Sequence, residues 1–383
     1  MNKRIAILGS TGSIGASALQ VIQHLGPPYR AGALSAHENT VRLLEQARLH
    51  RPASVALTGP NAESVAAELA RLDIQVYRGA DGLMEMVQRP DIDLVLAAIV
   101  GAAGLPAVLA AVRAGKTIAL ANKESLVVAG CLLIPEARRR RVTLLPVDSE
   151  HSAVFQARLC GRDDEIRRVI LTASGGPFRK ASMEELRSAT LADALKHPTW
   201  SMGTKITIDS ATMFNKALEI IEACWLFDLP PEKVEVVVHP ESVIHSMVEF
   251  VDGSVIAQLC PPDMRTPIQY ALTFPERMDG IGRRMDLSRA FSLHFEPPDP
   301  ERFPALRLAY EVVRTGGTMG AVFNAANEAA VNAFVAGQTT LAEIPRLVED
   351  TMRLHRLQSS PALDDLLKAD QWARQTVQGL LAR

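Results

Sequence analysis

With 383 residues, 41 basic against 43 acidic side chains and 48% hydrophobic composition, the chain is too long for one core and too apolar for disorder, so two or three domains are expected. A formal charge of -2 leaves no general field for nucleic acid or an anionic membrane. Cys131, Cys160, Cys224 and Cys260 stand far apart without a Cys-x-x-Cys pair, which argues for reduced cysteines and against a disulfide frame or a thiolate zinc site.

The first apolar run, Ile5-Ala6-Ile7-Leu8, stops at Gly9, too short for a signal-peptide core. No stretch is long enough to span a bilayer, so a soluble, cytoplasmic protein is expected. The run reads as a strand, followed by Gly9-Ser10-Thr11-Gly12-Ser13-Ile14-Gly15 and a helical pattern from Ala16. Such a turn brings backbone N–H groups to a pyrophosphate at the positive end of a helix, although glycine-rich turns also serve as plain packing devices. Aliphatic runs at 4–8, 31–35, 54–57, 94–99, 117–120 and 143–146 alternate with helical patterns at 14–24, 39–50, 62–72, 82–87 and 104–114. The alternation predicts an α/β fold whose N-terminal domain, 1–147, is a Rossmann-like doubly wound parallel sheet. The basic block Arg138-Arg139-Arg140-Arg141 closes a helical segment, where cations offset exposed carbonyls.

From 148 to 274 the pattern is mixed, with strands at 169–172, 234–238, 246–250 and 254–259 and a strong helix at about 212–227. This predicts an α+β domain, 148–274, to which the motifs below assign catalysis, metal, substrate and a lid. Residues 275–300, rich in Pro and Gly, read as a connecting arm. Helical patterns at 305–314, 321–336, 341–354 and 363–382 predict a C-terminal helical bundle over 301–383.

Four constellations carry chemistry. Asn122-Lys123-Glu124-Ser125 follows a strand directly and emerges on the rim of the glycine turn; a capped surface turn is the alternative. The next strand ends in Val147-Asp148-Ser149-Glu150-His151, and an extended backbone would project Asp148 and Glu150 onto one face. Two adjacent carboxylates need a cation, and hard oxygen ligands favour Mg²⁺ or Mn²⁺ over zinc. Ser174-Gly175-Gly176 offers a hydroxyl beside open N–H groups, which suits a nest for phosphate oxygens but by itself more often makes an ordinary turn. Ser210 is expected near the start of the 212–227 helix, where Asn215 and Glu219 share a face beside Lys216. The segment 197–205, with His197, Trp200 and Gly203, suits a lid as well as it suits a packed loop. His239 and His245 read as structural rather than as metal ligands.

Taken in order, these motifs, with Ala98-Ile99-Val100-Gly101, His197-Pro198-Thr199-Trp200-Ser201-Met202-Gly203 and Asp209-Ser210-Ala211-Thr212 through Glu219, resemble those of the 1-deoxy-D-xylulose 5-phosphate reductoisomerases over nearly the whole chain. The resemblance implies a cytoplasmic homodimer in the non-mevalonate route to isoprenoids, with NADPH and a divalent metal, Mn²⁺ or Mg²⁺, as cofactors and a small sugar phosphate as substrate. It implies rearrangement of the carbon skeleton by retro-aldol cleavage and re-addition, then hydride delivery to give 2-C-methyl-D-erythritol 4-phosphate. Residue by residue, it gives Thr11, Gly12, Ser13 and Ile14 to the cofactor pyrophosphate, with Asn122, Glu124 and Gly203 also on the cofactor. Asp148, Glu150 and Glu219 match metal ligands, and Lys123 and Ser149 match contacts to substrate oxygens. Ser174, His197, Ser210, Asn215 and Lys216 match the phosphate end, and Trp200 the lid aromatic. Lys123, Asp148, Glu150, Glu219 and His197 are thus the expected catalytic group, with neither nucleic acid nor membrane as partner.

One departure concerns the adenosine end. Where the family has a Gly-Lys/Arg-Asn-like turn facing the 2′-phosphate, this chain reads Ala36-His37-Glu38-Asn39. A carboxylate there is the mark of NAD binders, since it accepts from a free ribose 2′-OH and repels phosphate. His37 and Asn39 are the residues expected to receive the phosphate with Glu38 turned to solvent, and NADPH is expected to stay the better cofactor. The rival readings are a metal-assisted dehydrogenase of a polyol phosphate and a non-catalytic dinucleotide or sugar-phosphate sensor; a sensor has no need of three carboxylates and two lysines.

Overall fold

A computed structural model describes residues 3–60, 63–200 and 202–382. Ala62, within an expected helix, and Ser201, within the 197–205 segment, lie outside the described residues. Seven strands, β1 (Lys3–Leu8), β2 (Tyr29–Ala36), β3 (Ser54–Leu57), β4 (Gln75–Arg78), β5 (Leu94–Ala97), β6 (Thr117–Leu120) and β7 (Leu144–Pro146), form one sheet in the order β4-β3-β2-β1-β5-β6-β7. Every pairing in it is parallel. The cause is visible in the side chains: Ile5, Ile7, Val55, Val95, Leu96 and Ile118 are all fully buried, as strands covered on both faces require.

Strand order reverses between β1 and β5, and a Rossmann-like sheet opens its ligand crevice at the carboxyl ends beside such a reversal. The extra strand β4 escapes the sequence pattern because Gln75-Val76-Tyr77-Arg78 is short, polar at both ends and only half-buried, as an edge strand can be. The sheet belongs to one compact unit made of residues up to 125 together with 133–152 and 263–283. The helix Arg265–Thr273 packs there against the helix Ser13–Leu25, and Lys3 Nζ donates to the Leu272 carbonyl at 2.7 Å. The segment 263–283 thus packs with the seven-stranded sheet, although its sequence reads as the end of the α+β region and the start of the arm.

The second unit comprises 126–132, 153–262 and 284–383. Its sheet runs β11 (Val255–Leu259), β10 (Ile244–Phe250), β8 (Ile166–Ala173), β9 (Val234–Val238), with β8 and β9 parallel and the other pairs antiparallel. The helix Phe214–Phe227 packs against β8, β9 and the helix Ala305–Thr315. Helices Met319–Val335, Ile344–Leu354 and Leu363–Leu381 pack on one another, and the alanine-rich Met319–Val335 is buried on nearly every side. Among the described residues no helix is long and apolar enough to cross a membrane.

Two glycines fix the turn after β1. Gly9 has φ +78°, and a Cβ on Gly15 would stand 2.5 Å from both the Gly9 carbonyl oxygen and the Ser10 Cα. Gly12, by contrast, has φ -75° and its Cβ would meet only the Gly9 oxygen, at 3.4 Å. Gly15→Ala should therefore lower the unfolding free energy in urea by about 1–3 kcal/mol. Gly12→Ala should stay within about 0.5 kcal/mol of the parent. Equal losses would mean that helix and strand do not depend on the close approach at Gly15.

Candidate active site

In the first unit the functional residues sit after the strands. The turn Gly9–Gly12 is closed by Gly12 N–H on the Gly9 carbonyl at 3.1 Å and tied to the sheet by Gly9 N–H on Ser35 Oγ at 2.9 Å. A buried pair fastens it to the helix Thr40–His50: Ser10 Oγ donates to Gln46 Oε1 at 2.8 Å and Gln46 Nε2 to the Ser10 carbonyl at 2.9 Å. Gly12 caps the helix Ser13–Leu25 with no side-chain hydrogen bond, so the first-turn N–H groups at Ser13 and Ile14 face outward beside half-exposed Thr11. That is the fit a pyrophosphate requires.

After β6, Asn122, Lys123 and Glu124 are all buried. Asn122 Nδ2 donates to Gly101 O at 3.0 Å and to Glu124 Oε2 at 2.7 Å, while its carbonyl accepts from Ser125 N–H at 3.1 Å. Lys123 Nζ lies 2.9 Å from Asp148 Oδ2.

Asp148 and Glu150 are not on a continuing strand, as their sequence suggested. β7 ends at Pro146 and the helix Ser149–Ala157 begins at once, with Asp148 taking Glu150 N–H on Oδ1 at 3.1 Å and Ser152 N–H on its carbonyl at 2.8 Å. The N-cap preference of Asp ends the strand early. The two carboxylates thus come from a cap and a first helical turn, and Ser149 Oγ donates to Glu150 Oε2 at 2.7 Å. Burial works to raise the Asp148 pKa, but the Lys123 ammonium and the His151 ring outweigh it and hold the carboxyl well below the usual carboxylate range.

In the second unit, Ser174, His197 and Ser210 meet. His197 Nε2 lies 3.0 Å from Ser174 Oγ and 3.0 Å from Ser210 Oγ, and Nδ1 accepts from Thr199 N–H at 3.1 Å and Trp200 N–H at 2.9 Å. With Nδ1 accepting twice, the ring proton resides on Nε2. Gly175 and Gly176 both have positive φ, and a Cβ on Gly176 would stand 2.6 Å from the Ser210 carbonyl, so the turn can approach closely.

The expected helix from about 212 to 227 is present as Phe214–Phe227, but a separate helix, Thr204–Ala211, precedes it, with Met213 at φ 61° between the two. Ser210 therefore ends one helix instead of opening the next. Asn215 and Lys216 occupy the first turn of the second, where Asn215 Nδ2 donates to Glu219 Oε1 at 2.5 Å and Lys216 pairs with Glu219 Oε2. Lys216 and Glu219 are both buried. Trp200 is half-buried with its ring 6.4 Å from that of His245, and Gly203 is the exposed N-cap of Thr204–Ala211.

After β2, His37 Nδ1 pairs with Thr58 Oγ1 at 3.0 Å, and Asn39 Oδ1 caps the helix Thr40–His50 through Arg42 N–H at 3.1 Å. Sequence reasoning missed two groups. Arg42 Nη1 donates to the Thr11 carbonyl at 3.0 Å. Asp209, beside Ser210 and buried, takes Asn327 Nδ2 on Oδ1 at 2.9 Å and pairs with Lys205. Their only signal was one charged residue per helix turn, because the partners lie 31 and 118 positions away in sequence. His239 is structural, as expected: Nε2 accepts from Val243 and Ile244 N–H, at 3.2 and 3.1 Å.

The parallel sheet, its reversal of strand order and the uncapped glycine turn define a Rossmann-like class of fold whose first turn suits a dinucleotide. A family model described as 1-deoxy-D-xylulose 5-phosphate reductoisomerase matches residues 5–130, and two models of that enzyme's C-terminal domains match 144–227 and 259–376. The 1-deoxy-D-xylulose 5-phosphate reductoisomerase of Heliobacterium modesticaldum is 51% identical over 98% of this chain and 96% of its own length. That of Chlorobium chlorochromatii is 50% identical over 99% and 100%. The solved enzyme from Zymomonas mobilis, in complex with NADPH, superimposes with a TM-score of 0.94 at 44% identity, covering 100% of this chain and 99% of that one. A DOX-P reductoisomerase in complex with NADPH, fosmidomycin and magnesium gives 0.92 at 40%, covering 99% and 98%. The chain belongs to the 1-deoxy-D-xylulose 5-phosphate reductoisomerase family.

Burial holds the His197 imidazole below its ordinary value of 6.5. The unfolded chain then takes up the proton first, so stability is complete above about pH 6.5 and declines as pH falls through that value toward the folded one. His197→Gln removes this part of the decline. Unfolding free energies of parent and variant should run parallel above about pH 7 and converge in acid. Curves that stay parallel down to about pH 5 would show that folding does not depress this histidine.

Proposed function

We propose that the chain catalyses the NADPH- and divalent-metal-dependent rearrangement and reduction of 1-deoxy-D-xylulose 5-phosphate to 2-C-methyl-D-erythritol 4-phosphate, in the non-mevalonate supply of isoprenoid precursors. Membership of the family over essentially the full length carries this reading. Relatives solved with NADPH and with magnesium support the cofactors. The residues of this chain fit both: the uncapped start of Ser13–Leu25 suits a pyrophosphate, and Asp148, Glu150 and Glu219 offer only carboxylate oxygens, the donors that Mg²⁺ and Mn²⁺ take.

In this reading Thr11, Gly12, Ser13 and Ile14 hold the pyrophosphate, His37 and Asn39 lie at the adenosine end, and Asn122, Glu124 and Gly203 contact the cofactor further along. Asp148, Glu150 and Glu219 hold the metal, which when bound supplies a Lewis acid to adjacent substrate oxygens. Lys123 and Ser149 orient those oxygens. Ser174, His197, Ser210, Asn215 and Lys216 bind the phosphate, whose remote binding energy favours closure of the 197–205 segment. His197 contributes as a neutral donor from Nε2, and Trp200 covers the substrate and excludes water. The chain works as a cytoplasmic homodimer. Apolar side chains exposed on the edge strand β11, Val255 and Leu259, support the assembly, which sedimentation at micromolar concentration tests.

The decisive assay follows NADPH oxidation with 1-deoxy-D-xylulose 5-phosphate, with and without Mn²⁺, and reads the product by carbon-13 NMR. A branched product supports the proposal; oxidation or reduction without skeletal rearrangement would leave only a polyol-phosphate dehydrogenase.

Glu150→Gln should keep the fold, weaken Mn²⁺ binding measured directly and lower turnover by at least about a hundredfold. Near-normal turnover with saturating metal would make the carboxylate pair a solvated helix start. Trp200→Ala should cost turnover about tenfold or more while moving the thermal midpoint by no more than about 4 °C, since a covering residue meets its partner only on closure. A large thermal loss with unchanged turnover per folded molecule would place Trp200 in the core.

A further inference from the structure

The turn after β2 poses a conflict of charge. Glu38 is exposed about 20 residues past the glycine turn, where NAD-binding folds put an acid on the ribose 2′-OH and where a 2′-phosphate is repelled. Neither neighbour supplies a fixed positive charge. His37 is turned to Thr58 Oγ1, and its backbone is held by Gly59, on which a Cβ would stand 2.1 Å from the His37 carbonyl oxygen. Asn39 is neutral, and its side-chain carbonyl is spent on the helix cap.

Arg42 differs from both. It is exposed, lies in the first turn of Thr40–His50, and its Nη1 donates to the Thr11 carbonyl, on the turn whose N–H groups suit the pyrophosphate. Among the described residues no carboxylate lies within ion-pair distance of it, and its other guanidinium donors have no partner. An anchored guanidinium with free N–H groups presents the planar fork that suits phosphate oxygens, and the adjacent helix start adds N–H dipoles of the same sign. Glu45, the next acidic residue on the same helix, forms no ion pair with it among the described residues.

We propose that Arg42 is the specificity-determining residue at the adenosine end: it receives the 2′-phosphate and overrides Glu38, so that NADPH is preferred although the sequence at that turn reads as an NAD site. The proposal rests on the dinucleotide reading above, and its test separates the two. Calorimetry with adenosine 2′,5′-bisphosphate and with adenosine 5′-monophosphate, at one ionic strength, isolates the 2′-phosphate. The parent chain should bind the bisphosphate more tightly. Arg42→Gln should weaken the bisphosphate by about tenfold or more and leave the monophosphate within about twofold, with Arg42→Lys between. In steady state, KM for NADPH should rise while KM for NADH and kcat hold.

Equal losses on both ligands, or none on either, in both variants would overturn the role of Arg42 and leave the dinucleotide site standing. A parent chain that binds the monophosphate as tightly as the bisphosphate would likewise overturn it. A parent that binds neither would overturn the dinucleotide reading and this proposal with it.

Discussion

A carboxylate withdrawn from water must be met by positive charge or donated hydrogen bonds, and the placement of the functional residues follows from that constraint. Asp148 is met by Lys123, Glu219 by Lys216 and Asn215, and Asp209 by Lys205 and Asn327. Each of these pairings fixes an acid locally within its own unit before any ligand arrives, which is the condition for electrostatic preorganisation.

The parallel sheet supplies the second constraint. With every strand of the first unit pointing the same way, each strand delivers its following loop to one rim: the glycine turn after β1, His37 to Asn39 after β2, Asn122 to Glu124 after β6 and Asp148 to Glu150 after β7. Residues more than a hundred positions apart in sequence thereby share one edge, on elements rigid enough to hold them. The crossover rule brings these loops to one rim, and contacts such as Lys123 with Asp148 then fix them there.

What was legible in the sequence was whatever the backbone itself demands. Gly9 and Gly15 announce the turn because no side chain fits there, and the buried strands announce themselves as unbroken aliphatic runs. Asp148 and Glu150 were legible as a pair of neighbouring carboxylates, but not their conformation: Asp148-Ser149-Glu150 carries a helix-start signal that the preceding strand obscured. The break at Met213 left no trace, since a left-handed residue there is a methionine where a glycine would have been noticed. Arg42 was illegible for a different reason. A lone arginine in an amphipathic helix reads as solvent-facing until the fold sets it against Thr11.

The helix Met319–Val335 carries a buried polar contact at a cost to its own packing. Asn327 is fully buried in an alanine-rich segment, and its Oδ1 has no partner among the described residues. A leucine there would pack without that penalty, which runs to about 1–3 kcal/mol for an unsatisfied buried polar group. What the asparagine contributes is one N–H to Asp209, the residue next to Ser210, four residues beyond Lys205 and within the helix that Gly203 caps. Without that donor Asp209 would hold a buried charge on Lys205 alone, and Lys205 is partly open to solvent. The C-terminal helices are therefore tied, through one amide, to the short helix that carries Ser210 to His197.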